Sequence, residues 1–226
     1  MIHKISDFWN KKYLSGHRQN YPWDTVVSFL MGNVRQSGLC PTSLKVLEVG
    51  YGTGANLRFA AREGFEVAGI EISEEAVAVA QSSFAKEGLV GDLQQGCFTE
   101  LPFKSEYFDL IIDRAALTCV SLKEIEAAVS EIARVSKPNA KFLFNCYSDT
   151  HSSARSGTAS QGRVRKGISQ GSLAGMDHIA FLSANDIYEI FSNNWELESM
   201  KRMEILDLVI PDVQIHSEWR VVAIKL

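Results

Sequence analysis

From residue 44 onward, short apolar runs alternate with stretches whose apolar positions recur every three to four residues. That is the rhythm of strands alternating with helices, as in a mostly parallel sheet covered on both faces. The first run, Leu44 to Val49, ends in Gly50-Tyr51-Gly52-Thr53-Gly54 and gives way to a helix through about Glu63 that Gly64 closes. Phe65 to Ile72 is the second strand. Ser73, with Glu74 and Glu75 in the first turn, opens a helix ending near Gly88, because carboxylates favour the positive helix end. Leu93 to Phe98 and Phe108 to Asp113 are the third and fourth strands, and Ser121-Leu122-Lys123-Glu124 is a capping box that starts a helix running to about Val135. Pro138-Asn139 turns the chain into a fifth strand, Ala140 to Tyr147. A helix over Ser183 to Phe191 follows, and Trp195 to about Ile205 and Glu218 to Lys225 complete seven strands, the last two paired antiparallel.

Two segments break this rhythm. Residues 1–43 carry Phe8, Trp9, Tyr13, Tyr21 and Trp23, too many aromatics for a solvated leader, so they are expected to form an arm packed on the body or over a ligand. Residues 148–178 are rich in Ser and Gly and set Arg155, Arg163, Arg165 and Lys166 against Asp149 and Asp177. Connections longer than about 12–15 residues are usually lids or disordered, and this one reads as a flexible basic lid inserted in a domain spanning 44–226.

Composition narrows the function classes. The 226 residues are 46% hydrophobic and 22% charged, which excludes wholesale disorder. A net charge of -4 lacks the overall positive field of non-specific nucleic-acid binding, so no nucleic-acid partner is expected. Cys40, Cys97, Cys119 and Cys146 form no C-x-x-C pair, giving no signal for a zinc or redox site, and no metal is expected. No run approaches the roughly 18 apolar residues of a membrane span, and the expectation is a soluble cytoplasmic chain, monomer or homodimer.

Chemistry enters at the glycine turn. A glycine pattern that follows a strand and opens a helix is the context for a nucleotide-like ligand, since the backbone can approach it with no Cβ in the way. The string also satisfies G-x-G-x-x-A, so a dinucleotide stands beside other cofactors. Glu48 weighs against it. A carboxylate two residues before Gly50 repels a diphosphate, and like charges at 5–6 Å cost roughly 3 kcal/mol at an effective dielectric of about 20. A ligand with an ammonium and a sulfonium and no phosphate, such as S-adenosylmethionine, reverses the sign. Glu71, at the end of the second strand, stands where an acidic side chain accepts from ribose hydroxyls in either case.

With Val46-Leu47-Glu48-Val49-Gly50-Tyr51-Gly52-Thr53-Gly54, Glu71, Leu101-Pro102-Phe103 and Phe108-Asp109-Leu110 together, the chain resembles a class I S-adenosylmethionine-dependent methyltransferase of the small-molecule type. The match covers residues 44–147 well and the flanks loosely. The resemblance implies a Rossmann-like α/β sandwich with a seven-stranded, mostly parallel sheet and an antiparallel last strand. It assigns Glu48 and the Gly50, Tyr51, Gly52, Thr53 and Gly54 loop to the methionine part, Glu71 and Ile72 to ribose and adenine, and Cys97 with Phe98 to the adenine edge. Asn56, Thr99 and Asp113 complete the cofactor set, with Trp9 and Tyr13 of the arm as a cover. Cys97 stands where the family often has an Asp that accepts from the adenine amino group, and Tyr51 where a small residue or cysteine is common. Asp113-Arg114-Ala115-Ala116-Leu117 resembles thiopurine and tellurite-resistance methyltransferases, not the Asn/Asp-Pro-Pro-aromatic motif of nucleobase amine methylation.

The resemblance implies methyl transfer to a small acceptor, anionic or partly aromatic, with S-adenosylhomocysteine as product. In-line displacement needs no universal catalytic residue. Where a base helps, Tyr147, Asp149 and His151 stand just past the fifth strand, and Arg114 is placed to steer an anionic acceptor. The competing readings are a non-catalytic S-adenosylmethionine-binding module and a NAD(P)-dependent oxidoreductase; the latter lacks a Tyr-x-x-x-Lys pair or a second catalytic domain.

Overall fold

The structure, a computed structural model, describes residues 2–209 and 214–226. The central sheet is built from β1 (Lys45–Val49), β2 (Glu66–Glu71), β3 (Asp92–Gln95), β4 (Phe108–Arg114), β5 (Ser136–Tyr147), β9 (Trp195–Asp207) and β10 (Gln214–Lys225), in the order β3-β2-β1-β4-β5-β10-β9. The pairs from β3 to β5 are parallel, whereas β10 runs antiparallel to both β5 and β9. The chain steps outward from β1 through β2 to β3 and then returns to β4 on the other side. Open α/β sheets bind ligands at such a reversal, beyond the carboxyl ends of the strands.

Period-two alternation sends neighbouring strand residues to opposite faces. Leu47, Ile111, Phe142 and Phe144 pack with Ile125, Val129 and Ile132 of helix α5 (Leu122–Val135) and with Ile187 and Ile190 of α6 (Ala184–Ile190). Val46, Ile112 and Leu143 face the other way, toward Phe29 and Leu30 of α2 (Asp24–Ser37), Leu57 of α3 (Ala55–Arg62) and Phe84 of α4 (Glu74–Glu87). Fully burying side chains of this size contributes about 1.5–3 kcal/mol each, and this holds the sheet rigid behind the crevice.

The expected helix starts are observed as hydrogen bonds. Ser73 accepts from Ala76 N, and Ser121 with Glu124, like Ser183 with Asp186, forms a reciprocal capping box. Boundaries differ most at β3, at β5 and at β10, which starts at Gln214 rather than Glu218. β3 stops at Gln95 because Gly96 N turns to Glu71 O. β5 starts at Ser136, since Asn139 adopts a left-handed φ of 63° and the irregularity is taken up in the ladder rather than ending it.

The arm contains α1 (Ile2–Leu14) and α2. Ser6 Oγ donates to Ile72 O and Ser73 Oγ to Asn10 Oδ1, which ties α1 to the ends of β2 and α4. The segment read as a flexible basic lid carries a small antiparallel sheet, β6 (Thr158–Ala159), β7 (Val164–Lys166) and β8 (His178–Ala180), with a core of Ile168, Leu173, Ile179, Phe181 and Cys119. Among the described residues no helix is long and apolar enough to cross a membrane.

Candidate functional site

At the carboxyl ends of β1, β2 and β4 lies a cavity of about 520 Å³, within the range of about 300–1,000 Å³ usual for small-molecule sites. Its floor is Gly50, Ile70, Glu71 and Ile72; one wall is Gly96, Cys97, Phe98 and Thr99; the opposite wall is Arg114, Ala115, Ala116 and Tyr147. The arm closes it with Ile5, Trp9, Lys12, His17, Gln19 and Trp23, and the insertion with Ser172, Leu173, Ala174, Met176 and Ile179.

The floor requires glycine. Gly50 has φ 65°, and a Cβ there would stand 2.2 Å from Ala116 Cβ. At Gly52, φ 56°, a Cβ would stand 2.8 Å from the Tyr13 hydroxyl of the arm. Thr53 Oγ1 donates to Gln19 O and accepts from Gln19 N, so the loop is clamped to the segment between α1 and α2.

Three buried carboxylates stand under this floor: Glu48, Glu71 and Asp113. Glu48 Oε1 accepts from Asn56 Nδ2 at 2.7 Å, while its Oε2 is buried with no partner among the described residues. Burial pushes its pKa up to about 8, helped by the charges of Asp113 and Glu71 and opposed by the Asn56 bond. Asp113 Oδ1 accepts from Ala116 N and Leu117 N, Oδ2 is likewise unpartnered, and burial lifts this group to about 7. Glu71 accepts from Gly52 N and Ser73 N, both at 2.9 Å; burial raises its pKa and these N–H groups partly offset the rise. Buried carboxyl oxygens without donors are costly by about 1–3 kcal/mol each, and a cation or donor brought to them recovers that cost.

Residues 47–144, which carry β1, the glycine loop, β4 and most of β5, match the family model described as a methyltransferase domain. By this match, residues 47–144 resemble a methyltransferase domain. The uncharacterized methyltransferase YcgJ of Bacillus subtilis is 35% identical over 115 residues, 50% of this chain and 44% of its own length. A demethylmenaquinone methyltransferase of Tropheryma whipplei is 35% identical over 100 residues, 44% of this chain and 40% of its own length. The matched part thus spans less than half the length of these curated relatives. In fold, the magnesium protoporphyrin IX methyltransferase of Synechocystis with bound S-adenosylmethionine superposes with a TM-score of 0.67 at 16% identity, covering 100% of this chain and 97% of that one.

The residues singled out from the sequence fall into three groups. Gly50, Glu71, Ile72, Cys97, Phe98, Thr99, Trp9, Arg114 and Tyr147 line the cavity. Glu48, Asn56, Thr53, Asp113, Gly52, Gly54 and Tyr13 stand behind or beside that lining and shape it through the bonds and contacts above. Tyr51 and His151 are placed elsewhere. The Tyr51 ring fills the groove over Gly69, where a Cβ would come within 2.4 Å of it, so it belongs to the core. His151 is buried beyond the cavity wall, its Nδ1 accepting from Ser153 N, and burial with the neighbouring His216 lowers its pKa to about 4.

Cys97 Sγ lies 3.0 Å from Thr99 Oγ1 and makes a local pair on the wall. The insertion's basic residues do not line the cavity: Arg163 pairs with Asp186 at 2.9 Å and donates to Ser183 Oγ. Toward this cavity the segment expected as a basic lid presents Ser172, Leu173, Ala174 and Met176, while Arg163 is held at the start of α6. Sequence reasoning missed Lys12, His17, Gln19, Ala115, Ala116, Ser172, Leu173 and Met176. The signals for the arm and insertion residues were aromatic density and segment length; Ala115 and Ala116 lie in the Asp113 to Leu117 segment noted after the fourth strand.

Proposed function

We propose that the chain is an S-adenosylmethionine-dependent methyltransferase that acts on a small, partly aromatic acceptor. The observation that carries this reading is the pair of unpartnered buried carboxylate oxygens, Glu48 Oε2 and Asp113 Oδ2, beneath a glycine floor. Together they suit a ligand with positive charge and no phosphate. When bound, that cofactor supplies an electrophilic methyl group on a sulfonium, and transfer to an X–H acceptor breaks C–S, forms C–X and releases one proton.

The chain's own residues divide the remaining work. Glu48 and Asp113 favour the cationic end, Glu71 at the end of β2 accepts from ribose hydroxyls, and Ile72 and Phe98 give apolar surface for adenine. Trp9 and Trp23 close the cavity against water, which strengthens every electrostatic contact inside. The acceptor end is bounded by Arg114, Tyr147, Leu173 and Met176. Arg114 stacks at 4.0 Å over Trp23, Nη2 pairs with Glu218 at 3.1 Å, and its buried Nε has no partner, which favours an acceptor that brings an anionic or carbonyl oxygen.

Thermal unfolding with S-adenosylmethionine, S-adenosylhomocysteine, NAD and NADP tests the cofactor. A ligand at about 100 times its Kd adds roughly 2.7 kcal/mol, a shift of about 5–10 °C at this chain length. Shifts with the two adenosyl-sulfur ligands alone are expected; a shift with NAD or NADP alone would replace this reading with an oxidoreductase. Methyl release onto any member of a panel of phenols, carboxylates and thiols separates an enzyme from a non-catalytic binding module.

A further inference from the structure

Behind the acceptor end of the cavity lies a cluster that the methyl-transfer chemistry above leaves unused. Ser172, on the cavity wall, has Oγ 3.2 Å from His216 Nδ1 and 3.3 Å from His151 Nε2, and the two ring nitrogens are 3.3 Å apart. His216 Nε2 lies 3.7 Å from Glu218 Oε2, which also accepts from Arg114 Nη2, while Glu218 Oε1 accepts from Arg220 Nε at 2.8 Å. The His216 side chain is 31% exposed, so its ring connects the buried wall to solvent.

A hydrogen bond fixes the His151 tautomer, and the Glu218 carboxylate 3.7 Å from His216 Nε2 favours the proton there. His151 Nδ1 accepts from Ser153 N, so the proton of neutral His151 is on Nε2 and points into the triangle. Its low pKa keeps His151 neutral near pH 7. With His151 Nε2–H and the Ser172 hydroxyl both directed at it, His216 Nδ1 is the common acceptor, and His216 Nε2–H faces Glu218. Burial alone would raise the pKa of Glu218, but His216, Arg114 and Arg220 outweigh it and hold the group at about 2, so it is ionised. The remaining titratable neighbour is Tyr147, whose ring packs edge-on against both histidines and whose hydroxyl burial pushes to about 12. From β9, Ile205 faces His216 in the ladder, and Glu204 is engaged by Thr150 and Arg202.

We infer that Ser172, His216 and Glu218 form a proton relay that takes the proton released by the acceptor and passes it from the cavity to solvent. The inference rests on the methyl-transfer reading. An O–H, N–H or S–H acceptor gives its proton to Ser172 Oγ as the Ser172 proton moves to His216 Nδ1. The imidazolium so formed is stabilised by Glu218; it releases its Nε2 proton to solvent, and proton exchange with water then moves the Nδ1 proton off and restores the Nε2–H tautomer for the next turnover. Ser172 alone faces the acceptor; His216, Glu218 and His151 act through it as positioning residues.

The first test needs neither donor nor acceptor. In the full chain labelled with 15N-histidine, nitrogen and proton shifts followed from pH 5 to 9 report the tautomer and pKa of each ring. The expected result is His216 as the Nε2–H tautomer with Nδ1 as the acceptor, and loss of that tautomer preference in Glu218→Gln, since the Glu218 carboxylate stands 3.7 Å from Nε2. An Nδ1–H tautomer in the wild-type chain overturns the relay, whether or not the variant folds. In turnover, His216→Gln is expected to lower kcat about 10²-fold at pH 7, flatten the pH profile and leave the donor KM within about twofold. An unchanged pH profile overturns the relay. Because donor binding is read separately by the S-adenosylhomocysteine thermal shift, failure of the relay and failure of the methyl-transfer reading give different results.

Discussion

Glu48 and Asp113 are carboxylates whose folded environment prefers the proton, at about 8 and about 7. A group whose pKa is raised on folding binds protons more tightly in the native than in the unfolded chain. Between its ordinary value and the raised one, stability therefore falls as pH rises. Without ligand, the melting temperature is expected to decline between about pH 4.5 and 8 for this reason, and Glu48→Gln, which keeps an acceptor for Asn56, is expected to flatten the decline. Melts of both proteins across that range check it; a parallel decline in the variant would exclude Glu48 as a source. Glu218 has the opposite sign: its stabilisation is complete above about 4.5 and disappears as pH falls through about 2. At this scale the sequence pointed to Glu48 and Glu71, at fixed offsets from a glycine turn, and both are buried at the cavity floor. It could not show that Tyr51 turns inward, since only the absence of a Cβ on Gly69 opens that groove.

Among the elements, those with capping chemistry were legible to within a residue or two. Ser121 and Glu124 close a reciprocal box at the start of α5, and Ser121→Ala is expected to cost about 1 kcal/mol, seen as a fall in melting temperature of about 2–4 °C. Gly50→Ala tests the floor. The strained φ and the 2.2 Å approach to Ala116 Cβ predict both lower stability and loss of S-adenosylhomocysteine binding by calorimetry, and binding at wild-type affinity would contradict the proposed floor. The arm was legible as a packed aromatic segment, with a helix closing the sheet's end as one reading, but not as the two helices α1 and α2, of which α1 sets Trp9 against the insertion's core. The strands of the insertion, two or three residues each, are too short to carry a period, and their pairing depends on backbone hydrogen bonds that no side-chain pattern records.

For the whole molecule, the sheet order places the cavity at the reversal between β1 and β4, and the arm and insertion both contribute to its walls. The proposed donor end draws largely on the segment around Gly50, whereas the proposed acceptor end is assembled from Trp9, Arg114, Tyr147 and Ser172, residues far apart in sequence. Trp9→Ala, which removes part of the arm's wall, is expected to weaken ligand binding about tenfold or more while leaving the sheet's melting transition cooperative; unchanged affinity would show that the arm covers the site without contributing to it. The central claim is that this cavity takes a cationic adenosyl ligand because of Glu48. Calorimetric titration of S-adenosylmethionine into the wild-type chain and Glu48→Gln at pH 7.5 tests it most directly. The account requires saturable one-to-one binding that weakens at least tenfold in the variant, about 1.4 kcal/mol; equal affinity in both proteins, or binding of NAD in place of S-adenosylmethionine, would contradict it.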